Sequence, residues 1–360
     1  MKHRQTGITK VGLINPDGHA IGLDIGATSV RAAILAPGTL EGRPAVTVHG
    51  LGHVPLPQGA VVNGVVMDQS AVTQALKELW RENRFECRNL ILGITNQQVV
   101  VRDLQMPNLT PDQLVRALPY RAREIIAIPL DQALIDFAPL GQVNPETDTQ
   151  DGLLVAAPRE PVLAAVRAVE KAGLRVARVD LASFAALRSI ADEKLSVEAV
   201  IDMGAHMTSI VIHNQGIPKV VRTITRGGAE LTLKLAERLE INPAEAEQLK
   251  VTHGLDGRHM EVTRSMSEAI RPLLAEIRSS VHYFASSNSG AQIERISLTG
   301  GASQLSGFAR LLSDHMGVPV NVVPPLQHIR NRWASKQVQT EEADGFASAV
   351  SVGLAMGAAA

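Results

Sequence analysis

Cysteine is nearly missing from the 360-residue chain. Cys87 stands alone, which excludes an internal disulfide and any cysteine-rich metal centre. Aromatic residues make up only 3% of the composition, too few for the stacking platforms that read single-stranded nucleic acid. Neither sign of charge is in excess: 35 Lys and Arg face 36 Asp and Glu, so no basic field is available to phosphate backbones. Charges or prolines interrupt every apolar stretch short of the roughly 20 residues a membrane-spanning helix needs. The opening MKHRQTGITKVGLINPDG has basic residues but no apolar h-region, so no secretory signal is expected. None of the eleven histidines falls into H-E-x-x-H or a comparable ligand spacing, which argues against a zinc site. What the chain has is Ala, Val, Leu and Gly within a 45% hydrophobic composition. Small and β-branched residues beside glycines suit helix-on-sheet layers, and the length implies two or more domains. The expectation is a multidomain α/β protein of a reducing compartment.

Along the chain, residues 1–18 read as a loose leader ending in the turn Asn15-Pro16-Asp17-Gly18. Apolar runs at 20–25 and 30–35 around Gly26-Ala27-Thr28-Ser29 predict a β-hairpin, with a third strand over 46–54 and a helix over 68–85. Residues 89–170 change texture. They hold strands at 90–94 and 99–104, a helix opened by the capping box Thr110-Pro111-Asp112-Gln113, a strand at 133–137, a polar loop at 141–152, a strand at 153–157 and a helix at 160–172. This block is expected to be a small α+β insert. A strand over 176–179 and a helix over 182–193 follow, then a second strand–turn–strand over 199–213. Helices are expected at 229–239, from the cap Asn242-Pro243 to Lys250, through Pro272, at 308–316 and at 346–356, with strands at 295–298 and 318–323.

The most informative feature is an internal repeat. Asp24-Ile25-Gly26-Ala27-Thr28-Ser29 and Asp202-Met203-Gly204-Ala205-His206-Met207-Thr208 share D-x-G-A and a downstream hydroxyl, each between apolar strands, about half the chain apart. A glycine-containing hairpin tip lets backbone N–H groups converge on an anionic oxygen. An Asp at the strand end can hold a hydrated Mg²⁺, which touches only one or two carboxylates. A single D-x-G often just makes a turn; two matched copies are a stronger signal. Leu298-Thr299-Gly300-Gly301-Ala302-Ser303 runs from a strand through two glycines, either a plain turn or a place where backbone approaches a base or ribose. Glu247 and Lys250 share a helix face and could reach a ribose or form an ordinary ion pair. Gly227-Gly228 is a phosphate or sugar contact or a simple turn.

In this order the motifs resemble the actin-like ATPase superfamily: phosphate-1 at 24–31, connect-1 at 173–190, phosphate-2 at 202–208 and the adenosine motif at 298–305. Within it the chain resembles the PilM family of type IV pilus assembly proteins, on the strings IGLDIGATSVRAAIL, AGLRVARVDLASFAALRS, RGGAELTLKLAERLEINPAEAEQLK and LTGGASQL. The resemblance covers residues 19–360. It implies an α/β, actin-like (ribonuclease H-like) fold of duplicated lobes with an inserted α+β SHS2-type subdomain. The first lobe would comprise 19–88, 171–198 and 340–360, and the insert 89–170. The second lobe would comprise 199–228 and 290–339, with a helical subdomain over 229–289.

The resemblance further implies ATP and Mg²⁺ between the lobes, with Asp24 and Asp202 near the metal, mostly through water. Gly26, Ala27, Thr28, Gly204 and Thr208 would lie at the phosphates, and Ser29, Ala205, Gly227 and Gly228 would also be cofactor-binding. Glu247, Lys250, Gly300, Gly301 and Ala302 would lie at the nucleoside. Asp180 falls where the superfamily orients the attacking water, though the surrounding VDLA also reads as a strand terminus. His206 occupies a position that is usually small, which implies binding with poor turnover, or a side chain that simply points into solvent. The implied partner is the N-terminal cytoplasmic peptide of a PilN-like bitopic membrane protein, gripped where the insert meets the first lobe by elements of 89–137. The protein would then be cytoplasmic and peripheral to the inner membrane. A small-molecule kinase of the same superfamily and an FtsA-like division protein are the alternatives. The C-terminal SVGLAMGAAA lacks the basic amphipathic face that direct anchoring would use.

Overall fold

A computed structural model of the chain describes residues 18–40, 43–192, 194–288, 291–325, 330–331 and 342–359. All but the last residue of the expected leader lies outside them, as do 326–329 and 332–339 of the expected second lobe.

The chain opens with an antiparallel meander: β1 (Ala20–Ile25), β2 (Ser29–Leu40) and β3 (Arg43–Pro55). A small hairpin follows, β4 (Val61–Val62) and β5 (Val65–Val66), turned by Asn63-Gly64. Both turn residues have positive φ, 50° and 76°, the requirement of a two-residue hairpin turn that Asn-Gly meets best. Helix α1 (Gln69–Glu82) starts where the Asp68 side chain accepts from the Ala71 N–H at 2.9 Å. Strand β6 (Asn89–Ile94) then runs parallel to β1.

The chain now leaves this sheet. β7 (Val100–Pro107), α2 (Pro111–Ala122), β8 (Ala133–Pro139) and β9 (Thr149–Pro158) form a three-stranded antiparallel sheet ordered β7-β9-β8. Both halves of the α2 capping box are present: the Gln113 N–H donates to Thr110 Oγ1, and the Thr110 N–H to Gln113 Oε1. Leu104, Met106, Leu118, Phe137 and Leu154 give this unit its own core. Helix α3 (Arg159–Lys171) and β10 (Arg175–Leu181) bring the chain back, β10 pairing parallel with β6.

The expected insert boundaries at 89 and 170 therefore differ from where the sheets divide. β6 belongs to the first-lobe sheet, and α3 buries Ala165, Ala168 and Val169 against α1 in the first-lobe core. The separate sheet spans Val100 to Pro158. The supposed polar loop is also shorter, because residues 149–152 already pair in β9.

Helix α4 (Ala182–Ile190) leads to the second lobe: β11 (Val197–Met203), β12 (Thr208–Asn214) and β13 (Ile217–Ile224). Helices α5 (Gly228–Leu239), α6 (Pro243–His253) and α7 (Met260–Ser287) follow, the last with Pro272 in its interior. Then come β14 (Arg295–Thr299), a 3₁₀ turn (Gly301–Gln304), α8 (Phe308–Met316), β15 (Val320–Val322) and β16 (Arg330–Asn331), which pairs with β3. The chain closes on α9 (Glu342–Ala347) and α10 (Ala349–Ala359), two helices where one was expected. Between them the Ser348 hydroxyl donates to the Gly345 carbonyl at 2.7 Å.

The two large sheets repeat one topology. Reading β3-β2-β1-β6-β10 against β13-β12-β11-β14-β15, each is an antiparallel meander extended by two parallel strands. Duplication is thus visible in strand order as well as in the D-x-G-A motif. The lobes meet at a floor of Leu187, Ile190, Val200, Val211, Val323 and Ala349. Helix α10 lies on the back of the first-lobe sheet at very close range: a Cβ on Gly22 would stand 2.0 Å from the Ser351 carbonyl oxygen.

Candidate functional site

β1 and β11 are the matching strands of the two sheets, and each ends in an aspartate and a tight turn. The Gly26 N–H donates to the Ser29 carbonyl at 3.0 Å, and the Gly204 N–H to the Met207 carbonyl at 2.9 Å. The same hydrogen bond at the same place in both copies makes the tips structural equivalents.

Asp24 and Asp202 are close enough to act on one another. Burial, and then the charge of Asp24, push the Asp202 carboxyl up to about 7. Burial also raises Asp24. Arg31, opposite Asp24 in the β1–β2 register, pulls both back down. Two desolvated carboxylates against one guanidinium leave an excess of negative charge that a cation relieves. Arg31 Nε and Ser29 Oγ are buried without a hydrogen-bond partner, polar atoms that a ligand oxygen would satisfy. No cluster of three or more His, Cys, Asp or Glu with metal-binding geometry occurs among the described residues. A metal held by these two carboxylates would complete its shell with water and ligand oxygens, the habit of Mg²⁺. The donor set fits that ion.

The second-lobe wall is built tightly around Asp202. Gly300, at φ +86°, lies so close that a Cβ there would stand 2.3 Å from Asp202 Oδ1 and 2.5 Å from the Met203 carbonyl oxygen. Only glycine serves at that position. The Gly300 N–H donates to the Phe346 carbonyl at 3.1 Å, and the Ser303 hydroxyl to the Gly300 carbonyl at 2.7 Å. The start of α5 is pressed against the hairpin tip. A Cβ on Gly227 would lie 2.4 Å from the Gly204 oxygen, and one on Gly228 would lie 2.8 Å from Ala302 Cβ. Lys250 is buried and donates to the Gly228 carbonyl (3.1 Å), Thr232 Oγ1 (2.8 Å) and Glu247 Oε2 (2.7 Å). The ion-pair reading of Glu247 and Lys250 therefore holds, and Lys250 also fastens α6 to the start of α5. The Glu247 side chain is 50% exposed. Gly204, Ala205, Gly227, Gly228, Lys250 and Gly300–Ala302 form one wall.

Three expected roles change. The Thr208 hydroxyl donates to the Arg226 carbonyl at 2.8 Å, and its side chain is fully buried. By the turn hydrogen bonds Thr208 matches Val30, one step beyond the tip, so its hydroxyl serves the β12–β13 pairing. The Gly228 and Ala229 N–H groups donate to the Gly204 and Ala205 carbonyls at 3.0 and 2.8 Å, which commits the first turn of α5 to the hairpin. Asp180 accepts from the Leu181 N–H at 2.8 Å and pairs with Arg188 and Arg178. Its charge acts on Asp136 of β8 and is not among the influences on Asp24 or Asp202. Asp180 is thus engaged with two guanidinium groups at the end of β10, beside the insert. Thr28 and His206 are the exposed tips of the two hairpins, with Ala27 and Ala205 beside them.

Sequence reading missed Arg31, although its position one strand over from Asp24 followed from the hairpin it did predict. A second feature lies where the insert joins the first lobe: a cavity of about 20 Å³ lined by Ile25, Gly64, Val66, Gly93–Asn96, Val99 and residues of the β9–α3 corner. The partner groove was expected at this junction, lined by elements of 89–137; of these Gly93–Asn96 and Val99 line the cavity, and the β4–β5 hairpin and the start of α3 add to them.

A family model described as type IV pilus assembly protein PilM matches residues 22–359. A solved structure described as a PilM-PilN type IV pilus biogenesis complex superposes with a TM-score of 0.82 at 28% identity, covering 95% of this chain and 98% of that one. MreB5 of Spiroplasma citri bound to ADP superposes with a TM-score of 0.51 at 13% identity, covering 93% and 94%, a likeness of fold. The cell division protein FtsA of Bacillus subtilis is 22% identical over 258 residues, 64% of this chain and 57% of the FtsA. This chain thus spans a little over half the length of that curated relative. Among the described residues no helix is long and apolar enough to cross a membrane. The sheet duplication, the confronted strand tips and the match over 22–359 lead to one assignment: the chain belongs to the type IV pilus assembly protein PilM family.

Proposed function

We propose that this protein is an ATP-binding, actin-like scaffold of the type IV pilus assembly platform. It holds Mg²⁺ and ATP between its lobes and grips the N-terminal segment of a PilN-like membrane protein where the first lobe meets the insert. The observation that carries the nucleotide reading is the pair Asp24–Asp202, desolvated and near enough for one charge to act on the other beneath two matched hairpin tips, with Gly300 pressed onto Asp202. Asp24 and Asp202 hold the hydrated metal. The backbone at Gly26–Ser29 and Gly204–Ala205, with Arg31, receives phosphate oxygens, and Glu247 and Gly300–Ala302 face the nucleoside. Lys250 keeps that wall in place. A metal held by Asp24 and Asp202 would supply positive charge against the phosphates.

Because Asp180 is held by Arg188 and Arg178, the residues present support binding more than turnover. The partner reading is supported by the solved PilM-PilN relative; the small junction cavity, mostly apolar and without a charged side chain, marks the seam where the first lobe meets the insert. Such a partner would hold the chain at the cytoplasmic face of the inner membrane.

Calorimetry with ATP, with and without Mg²⁺, tests the first half. Saturable binding that weakens on Asp24→Ala is expected, and no heat at millimolar ATP would remove the nucleotide from the account. Fluorescence anisotropy with a labelled PilN-type N-terminal peptide tests the second. Binding to the wild type with no loss on Val99→Glu would move the peptide elsewhere.

A further inference from the structure

The cavity at the insert junction and the hairpin tip of the second lobe share a neighbour. That neighbour is the Asn63-Gly64 turn between β4 and β5. Its two strands are rooted in the first-lobe core by Val61 and Val66, which are nearly fully buried. Its tip reaches out between two parts of the molecule. On one side a Cβ at Gly64 would lie 1.6 Å from the Thr95 carbonyl oxygen, so the turn backbone rests directly on the segment leaving β6. On the other side the same Cβ would lie 3.3 Å from Met207 Cε, which comes from the β11–β12 tip across the cleft. The Asn96 side chain, buried, ties the arrangement together: its Nδ2 donates to the Asn63 carbonyl at 3.3 Å, and its Oδ1 accepts from the Gln98 N–H at 2.8 Å.

Gly64, Thr95, Asn96 and Val99 are also walls of the cavity, as is Ile25, the residue after Asp24. Met207 in turn is fixed by the nucleotide side. Its carbonyl accepts the Gly204 N–H that closes the second-lobe tip, two residues from Asp202.

We infer that Met207 is the positioning residue that transmits lobe closure to the peptide groove, by bearing on the Asn63-Gly64 turn and through it on Thr95 and Asn96. This rests on the function proposed above and specifies its regulation. Packed groups at van der Waals range do not compress, so a change in the second-lobe tip must move the turn or open a gap beside it. The turn has little freedom to absorb that change, since both its residues are held at positive φ and a carbonyl fills the space a side chain would need. The movement therefore reaches the cavity wall. Coupling of this kind is reciprocal: whatever factor ATP applies to peptide affinity, the peptide applies to ATP affinity.

The test is a thermodynamic cycle on the full chain, with peptide affinity measured by anisotropy with and without Mg·ATP, and ATP affinity with and without peptide. In the wild type the ratio should differ from one by about fivefold or more, equally in both directions. Met207→Ala should leave ATP affinity and ATP-free peptide affinity within about twofold of wild type while the ratio collapses toward one. Met207→Leu, which refills the space, should restore the ratio. A wild-type ratio kept by Met207→Ala overturns the inference, as does a wild type in which both ligands bind independently. That result leaves the proposed function standing. A wild type that binds neither ATP nor peptide overturns both.

Discussion

Asp202→Asn probes the centre of the site through stability alone. Burial and Asp24 lift the Asp202 carboxyl from 3.8 to about 7. At about 1.4 kcal/mol per tenfold change in proton affinity, charging Asp202 in the folded protein costs about 4 kcal/mol more than in an exposed chain. The sign follows from linkage. Between pH 4 and 7 or so the folded chain binds a proton at Asp202 that the unfolded chain has released, so this contribution is fully present below pH 4 and is lost as pH rises through about 7. Asn, neutral at every pH, removes that dependence. In EDTA, wild type should lose up to about 4 kcal/mol relative to Asp202→Asn between pH 4 and 8, read from urea unfolding midpoints or a Tm difference of several degrees. Glu198, held down to about 2, loses its contribution as pH falls through 4.5 toward about 2, a change common to both proteins. Mg²⁺ with ATP should then stabilise wild type above pH 7 and leave Asp202→Asn nearly unmoved, and binding to wild type below pH 7 should release a proton, visible as buffer-dependent heats. Parallel pH curves for the two proteins would refute the reasoning, because they would mean that the two carboxylates do not share one desolvated pocket.

Gly300→Ala should cost about 1–3 kcal/mol and reduce ATP affinity at least tenfold by calorimetry, since its Cβ meets Asp202 Oδ1 and its φ of +86° disfavours any side chain. Lys250→Met should destabilise by about 2–3 kcal/mol in urea and weaken nucleoside binding, because the Gly228 carbonyl and the Thr232 hydroxyl both lose a buried charged donor. Glu198→Gln should cost about 3–5 kcal/mol with ATP affinity of the folded protein unchanged. Glu198 is fully buried at the far end of β11 from Asp202, where it accepts from His213 at 3.0 Å, from Arg295 at 2.7 Å and from the Asp192 N–H at 2.9 Å. A matching loss of ATP binding there would contradict the separation of core from cleft.

Much of this architecture could be read in the residues. Gly26-Ala27-Thr28-Ser29 and Gly204-Ala205 announced both hairpins because turn chemistry is local, and the α2 capping box was written in Thr110 and Gln113. The helix at 308–316 fell where its apolar spacing placed it. What failed was long-range membership. Nothing in Asn89–Ile94 says that it pairs with β1 and not with Val100–Pro107, and nothing in 159–171 says which core its alanines enter. Strand β13 was overlooked because Pro218, Lys219 and Arg222 break its apolar signal, and only Ile224 among its residues is buried. The β4–β5 hairpin was missed although Val-Val-Asn-Gly-Val-Val states it locally. For Thr208 and Asp180 the difficulty was different: whether a hydroxyl or carboxylate faces a ligand depends on which carbonyl or guanidinium folding brings beside it, here Arg226 and Arg188.

The contact of Gly22 with Ser351 sets an order of events during synthesis. The strand carrying Asp24 is made long before the helix that covers its back. Until α10 arrives, the back of β1 and β2 lacks Val352 and Ala355, although α4 already lies over β6, whereas the insert can complete its own sheet from neighbouring segments. The first lobe therefore stays half-built until α10 has been made. A bulky residue at Gly22 or Gly353 would leave the insert intact and trap the nascent protein at that unfinished stage.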